Sequence, residues 1–235
     1  MSMILPWYLA MTASEFTAAT TVPKRVGWMA CHFSCFGKGL SNLPAALPPD
    51  SLLILNDAIP ISGHDPQQVL TELTRCAEKQ RCCGILLDFQ RPNVEETANL
   101  CCFLTKHLPC PIGITEFYGA GLPCALFLSI PLHRPPSQTL ATWNGQEIWL
   151  ETVLETEVAI ITKDDVQIFP TTLSGAPPIL EEEQLFCHYS WQERDSHLEI
   201  TLQRTPEDLV ALLEHTAKLG VTKAIGLYQQ LGNLQ

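Results

Sequence analysis

The sequence predicts an α/β fold, a shortened (β/α)8 TIM barrel. Short apolar runs recur along the 235 residues and are continuous, not alternating, as in parallel strands buried on both faces. Helical patterns separate several runs, and eight candidate strands alternating with helices are typical of a barrel. A doubly wound open sheet is the competing architecture, because the chain is short for a barrel. The runs are 8–11, 26–33, 52–55, 85–89, 112–117, 125–130, 186–191 and 224–228.

Three segments between these runs carry helix signals. Asp65 precedes a proline and an apolar stripe, which predicts a helix with Asp65 as its N-cap. A second helix is predicted over 93–107, with Asn93 as its cap and acidic residues in its first turn. Thr205 opens the third helix, which is amphipathic and is closed by Gly220.

One region breaks the alternation. Residues 147–170 have the pattern of two strands with a turn at 163–165. We therefore predict a β-hairpin insertion, at about 145–180, between barrel strands six and seven. No linker divides the sequence, so residues 1–235 are predicted to form a single TIM-barrel domain.

Charge and cysteine content exclude several classes of function. The net charge is −11, from 25 acidic and 14 basic residues, and no cluster of basic residues is present to bind nucleic acid or an anionic membrane surface. No apolar run reaches the length of a transmembrane helix. The ten cysteines include adjacent pairs, 82–83 and 101–102, within apolar surroundings. Reduced, buried thiols and a cytoplasmic location are therefore expected.

Metal and cofactor motifs are incomplete. Cys31, His32 and Cys35 lack a second ligand pair with the spacing of a zinc site. The glycine-rich segment at 119–121 lacks the lysine and spacing of a phosphate loop. We expect neither a metal nor a cofactor.

Polar and aromatic residues follow the predicted strands, and the chemistry of a barrel lies at the carboxyl ends of its strands. Carboxylates and amides there can bond hydroxyl groups, and aromatic rings can stack on the apolar faces of sugars. The sequence therefore predicts a carbohydrate or related small-molecule ligand. The predicted ligand-binding residues are Asn56, Asp57, Tyr118, His188, Tyr189, Trp191, Tyr228 and Gln230, and the candidate catalytic residues are Asp88, Gln90 and Glu116.

The fourth strand is the most informative. Its alternation places Leu86, Asp88 and Gln90 on one face, and its other face is wholly apolar. The apolar face is expected to pack on helices. A carboxylate and an amide then point into the barrel near its mouth.

This strand resembles the fourth strand of glycoside hydrolase family 18, the chitinase-like barrels. That family carries Asp-x-x-Asp-x-Asp-x-Glu, in which the last Glu is the general acid and the last Asp orients the substrate's N-acetyl group. Asp88 matches the last Asp, and Gln90 occupies the position of the Glu. Leu86 and Cys83 replace the other two acids. The run 225–228, Ile-Gly-Leu-Tyr, is similar to the family's Gly-Leu-Trp ending, whereas its third- and sixth-strand patterns are not apparent.

The resemblance implies three hypotheses about function. The first is a glycosidase-like barrel that has lost its acid, because the carboxamide of Gln90 has no proton to donate near neutral pH, and that still binds a carbohydrate. The second is an active glycoside hydrolase in which Glu116, or Asp57, takes an altered role. The third is a non-catalytic barrel that binds a protein partner.

Overall fold

The structure is a computed structural model that describes residues 5–37, 39–92, 94–171 and 178–234. The chain divides into two units, each described by itself. The barrel unit comprises Pro6–Leu128, Gln146–Glu151 and Val221–Gln235, and the insertion unit comprises Met1–Leu5, Ser129–Gly145 and Thr152–Gly220. Whether residues 1–235 behave as a single domain stays a prediction.

Eight parallel strands close into a barrel, which confirms the predicted fold class. Continuous apolar runs form these strands because both of their faces are buried. In order around the barrel they are β1 (Trp7–Met11), β2 (Val26–Phe33), β4 (Leu52–Asn56), β5 (Gly84–Asp88), β6 (Ile112–Thr115), β7 (Ala125–Leu128), β8 (Ile148–Thr152) and β14 (Val221–Leu227). The last of these pairs with β1 and completes the closure, and the short β3 (Leu40–Ser41) extends β2 as an antiparallel partner.

Several helices of the barrel unit have only four to six residues, which explains how a barrel fits into this chain. The helices are α1 (Ala13–Ala18), α2 (Pro66–Gln80), α3 (Glu95–His107), α4 (Glu116–Gly119), α5 (Pro136–Ala141), α6 (Pro206–Lys218) and α7 (Tyr228–Leu231). Asp65 caps α2 through the amide of Gln67 (3.0 Å), and Thr205 caps α6, as predicted. Asn93, the predicted cap of α3, lies outside the described residues, and Val94 occupies the N-cap position.

Two apolar layers hold the barrel unit together. The inner layer fills the barrel with side chains that include Leu86, Phe127 and Trp149. The outer layer packs the opposite strand faces on the buried stripes of α2 and α3, where Leu73 and Leu104 are fully buried.

The seventh barrel strand is β8, and the prediction that residues 186–191 form it was wrong. The Ile-Trp-Leu core of β8 is continuous and buried, whereas His188 and Ser190 interrupt the predicted run with polar groups. A strand with one polar face suits an antiparallel sheet that is solvated on one side. Residues 186–191 accordingly contribute to such a sheet in the insertion unit.

The insertion is larger than the predicted hairpin and lies between barrel strands seven and eight, not six and seven. The predicted turn at 163–165 is present, closed by the bond from Thr162 N to Asp165 O (2.9 Å). Three further strands complete a five-stranded antiparallel sheet. Its strands are β9 (Thr156–Ile161), β10 (Val166–Pro170), β11 (Leu180–Glu182), β12 (Cys187–Glu193) and β13 (Leu198–Gln203), in the order β10-β9-β13-β12-β11.

Among the residues that the structure describes, no helix has the length and apolar character required to cross a membrane.

Candidate functional site

Three polar residues lie side by side at the carboxyl ends of adjacent barrel strands. His32 of β2 is in register with Asn56 of β4, which is in register with Asp88 of β5. Residues in register on neighbouring parallel strands point to the same side of the sheet. Each side chain is half-buried. The result is a polar row at the end of the barrel where the chemistry of this fold is found.

Asp88 is the last residue of β5, and Gln90, which was predicted to lie on the same strand face, follows the end of the strand with its side chain exposed. Leu86 belongs to the inner apolar layer, and alternation carries Asp88 to the same side of β5. The Nε2 of Gln90 donates a hydrogen bond to Asp88 Oδ1 (2.5 Å). An amide thus contacts the carboxylate.

The environment of Asp88 raises the pKa of its carboxyl group. Burial raises the pKa of this carboxyl above its usual value, and the nearby negative charge of Asp57 raises it further. The hydrogen bond from Gln90 opposes both effects, but the net pKa shift is upward. Asp88 therefore takes up a proton at a higher pH than an exposed aspartate does.

Asn56 and Asp57 hold the backbone of neighbouring segments. Asp57, which is buried, accepts bonds from the backbone amides of Gln90 (3.1 Å) and Arg91 (2.9 Å). The amide of Asn56 donates to Met29 O (2.9 Å), and its oxygen accepts from Ala58 N (3.1 Å). Both predicted ligand-binding residues lie at the site. Many of the hydrogen bonds that their side chains can form are made to backbone groups, and these bonds hold the site in place.

Tyr118 fixes the other end of the loop that follows β5. Its hydroxyl donates to Arg91 O and accepts from Val94 N (3.2 Å), and its ring lies edge-on to Phe89. With 8% of its surface exposed, Tyr118 has little area left for a ligand. Together with Asp57, it immobilises the loop that carries Gln90.

Glu116 lies on the neighbouring strand end and is exposed. It begins α4 directly after β6, and Thr115 before it donates to Phe89 O (3.0 Å), which ties this corner to the end of β5. A carboxyl group is thus present next to the Asp88 strand, on the solvent side.

The last barrel strand brings Tyr228 and Gln230 to the same end of the barrel. Both belong to α7, which starts immediately after β14. Tyr228 is half-buried, and its ring packs closely on Gly232. Gln230 is exposed.

Two further residues lie at this end of the barrel: His32, whose place after the second strand the sequence indicates, and Glu15, which was not predicted. Asn42 Nδ2 donates to His32 Nε2 (3.0 Å), and His32 Nδ1 contacts Phe33 O (2.7 Å), a pattern that fits the neutral ring. Glu15 accepts from the amide (2.7 Å) and the hydroxyl (2.8 Å) of Thr12. Burial alone would raise the pKa of Glu15, but hydrogen bonds from Thr12 and Gln229 hold it below its usual value. The Thr-x-x-Glu spacing of a capping box was the signal that could have identified Glu15.

His188, Tyr189 and Trp191 do not lie on a barrel strand, which corrects the prediction that placed them at the end of strand seven. They belong to β12 of the insertion unit. His188 Nδ1 is 2.9 Å from Asp208 Oδ2, and the same oxygen accepts from the amide of Thr205, the N-cap of α6 (2.9 Å). Trp191 is 57% exposed.

The described part of the chain contains no group of three or more His, Cys, Asp or Glu residues close enough to hold a metal ion. The polar row and the Asp88–Gln90 pair can instead bond the hydroxyl and amide groups of an organic ligand.

Comparison with solved structures finds the same architecture in lytic enzymes. The spore cortex-lytic enzyme SleL of Bacillus cereus aligns with a TM-score of 0.55 over 94% of this chain and 70% of its own, at 8% identity. SleL of Bacillus megaterium aligns with a TM-score of 0.52 over the same shares, at 10% identity. At these identities the likeness establishes the barrel fold.

No protein-family model matches the sequence, and the search of curated proteins gives no match. Membership of glycoside hydrolase family 18 therefore stays a prediction.

Proposed function

We propose that the barrel binds a carbohydrate bearing an N-acetyl group at the carboxyl ends of its strands, and that it has lost the acid needed for hydrolysis. The observation that carries this proposal is the contact between Gln90 and Asp88. An inward carboxylate can accept a hydrogen bond from an acetamido N–H. The amide beside it can bond a glycosidic oxygen but cannot protonate it.

Two further observations support this proposal. The fold is that of enzymes named for the lysis of spore cortex, a likeness that concerns the barrel and not the site. In addition, Asp57 and Tyr118 hold the loop carrying Gln90 in place before any ligand arrives. A site with its polar groups already fixed loses less entropy on binding.

Binding and turnover of a soluble chito-oligosaccharide test this proposal directly. The wild type should bind it without cleaving it, and Asp88→Asn should weaken binding. Gln90→Glu restores a carboxylic acid and should give measurable hydrolysis with a pH optimum below neutral. General acid assistance typically contributes about 10²–10⁴ in rate, so the gain should stand clear of the wild-type background.

The competing function is an active glycoside hydrolase that uses Glu116, and the observation in its favour is the exposed carboxyl next to the Asp88 strand. Hydrolysis by the wild type that is lost in Glu116→Gln would establish it. Hydrolysis that survives both Asp88→Asn and Glu116→Gln would place the active site elsewhere. Failure to bind any oligosaccharide, with binding of a protein partner instead, would favour the non-catalytic barrel.

We also propose a reducing, cytoplasmic location. All ten cysteines are free in the structure, and nine of them are buried or half-buried. Recovery of several of them as native disulfides would contradict this location.

A further inference from the structure

One face of the insertion sheet carries an apolar strip that runs across four strands. Cross-strand pairing aligns Trp191 with Ile200, Ile200 with Ala159, and Ala159 with Ile168. Paired residues of an antiparallel sheet point to the same face. These four side chains therefore form one continuous row from β12 to β10.

A second row lies beside the first on the same face. Leu198 pairs with both Glu193 and Ile161, and Ile161 pairs with Val166. Of the eight residues in the two rows, seven are apolar and Glu193 alone is charged. We call these eight residues the apolar strip.

Much of the apolar strip faces water. Trp191 and Val166 are 57% and 56% exposed, Ala159 is buried, and the remaining apolar members are half-buried. Farther along the same face, Leu202 packs with Leu132 and Cys187 in the core of the unit. The exposed rows thus continue a packed core outward as one contiguous apolar patch, and contiguous patches of a few hundred Å² are often functional.

The exposed area of the apolar strip limits its occupant. Trp191 and Val166 are more than half exposed, and the other apolar members are half-buried or buried, so the strip offers roughly 300–400 Å² of apolar surface. A stable protein interface needs about 800 Å² from each partner. A second copy of this chain is disfavoured further, because each copy carries a net charge of −11. An area of this size instead suits a few flat rings.

The chemistry around Trp191 fits a sugar ring. The indole offers a broad apolar face, and the neighbours on the same face of β12 are Tyr189 and Glu193, whose oxygens can bond hydroxyl groups. A pyranose combines one apolar face with hydroxyls at its edge. We propose that the apolar strip is a second carbohydrate-binding surface, on which a ring of a neutral polysaccharide stacks on Trp191. The choice of a carbohydrate rests on the proposed function of the barrel.

Depletion isotherms on insoluble chitin, with the full chain, test this proposal. Covering one face of the indole removes roughly 60 Å² of apolar surface from water, so Trp191→Ala should weaken binding about tenfold. Trp191→Phe keeps a flat ring and should retain most of the affinity, which guards against a fold defect in the alanine variant. Phe169→Ala is the matched control, since Phe169 is 46% exposed on the opposite face of the same sheet, and it should bind as the wild type does.

Several outcomes would overturn the inference. The first is that the wild type does not bind chitin. The second is that Trp191→Ala and Phe169→Ala lose chitin affinity equally. The third is that the wild type sediments as a dimer and Trp191→Ala as a monomer. The soluble chito-oligosaccharide measured with Asp88→Asn reports on the barrel site separately. Loss of chitin binding in Trp191→Ala, with soluble-ligand binding intact, would support the second surface.

Discussion

Trp149 occupies the space that a side chain at position 113 would need. A Cβ on Gly113 would lie 2.2 Å from Cε3 of the Trp149 ring, which is fully buried in the barrel. Trp149 Nε1 donates to Glu147 (2.9 Å), and Lys223 lies 4.2 Å from the ring centre, so the ring is held from both sides. The tryptophan of β8 can therefore pack in the barrel only because β6 has a glycine at position 113.

Gly113→Ala should therefore destabilise the protein. Overpacking of a close-packed core costs typically 1–3 kcal/mol, and a rigid, anchored ring places this site toward the upper end, at about 3 kcal/mol. Urea unfolding measures the difference. Gly37→Ala is the control, because the nearest atom to its added carbon is 3.7 Å away, and it should change stability by less than about 0.5 kcal/mol. Equal midpoints for the two variants would contradict this packing.

Asp88→Asn should make the folded protein at least as stable as the wild type at pH 7. The pKa of Asp88 is raised in the folded state, chiefly by burial, so the folded protein binds this proton more tightly than the unfolded chain does. Ionisation of Asp88 then lowers stability as the pH rises through the unfolded pKa of about 3.9 and the higher folded value. The asparagine has no such cost, and its oxygen can still accept from Gln90.

The measurement is the urea midpoint of both proteins at pH 7 and below pH 4. The difference in stability between Asp88→Asn and the wild type should shrink at the acidic pH. There the aspartic acid of the wild type is protonated and therefore neutral, as the asparagine of the variant is. A variant that is less stable than the wild type at pH 7 but equal to it below pH 4 would show that the carboxylate is stabilising, contrary to this prediction.

Tyr118→Phe should loosen the loop that carries Gln90. It removes the bonds to Arg91 O and Val94 N, each worth about 0.5–1.5 kcal/mol, so stability should fall by about 1–3 kcal/mol. Faster hydrogen exchange of the Gln90 and Arg91 amides in the native protein is the local measurement. In Tyr228→Phe, which changes a tyrosine away from this loop, exchange of these two amides should be unaffected. Unchanged exchange in both variants would mean that Asp57 alone holds the loop.

The thiols should react in two classes. Cys35 is the exposed cysteine and should react promptly with a thiol reagent at neutral pH in the native protein. Burial raises the pKa of Cys82 and of Cys101 to about 12, so their thiolate fractions are negligible and they should react slowly. Denaturation should release all ten. Cys35→Ser is the control and should remove the fast phase alone. A fast phase that persists in this variant would show that a second cysteine becomes accessible in the native state.

Continuous apolar runs identified seven of the eight barrel strands, because burial on both faces leaves a mark in local sequence. The remaining strand, the seventh of the barrel, was assigned wrongly because two apolar runs in the sequence could have formed it. The core of β8, Ile148–Leu150, is only three residues long and is flanked by Glu147 and Glu151, whereas the run at 186–191 is longer but carries polar residues. Local sequence does not contain the packing of the Trp149 ring on Gly113, which joins β8 to a distant part of the chain.

The candidate site, like the fold, could be predicted from the sequence only in part. The direction of Asp88 followed from alternation along one strand, whereas Gln90 lies beyond the end of that strand and is exposed. The roles of Asp57 and Tyr118 did not, since each bonds backbone groups of a loop that lies far away in sequence. A polar residue after a strand has the same sequence signature whether it binds a ligand or holds a loop.

The pairing of β1 with β14 has a consequence for how the chain folds. Trp7 lies opposite Ala224, so the contact that closes the barrel joins positions separated by nearly the whole described chain. Contacts of such long range form slowly, because the loop entropy is lost before they contribute. Until β14 docks, the edges of β1 and β8 present unpaired backbone groups that can recruit other chains. Refolding should accordingly be slow and sensitive to protein concentration, with aggregation competing until this final strand is in place.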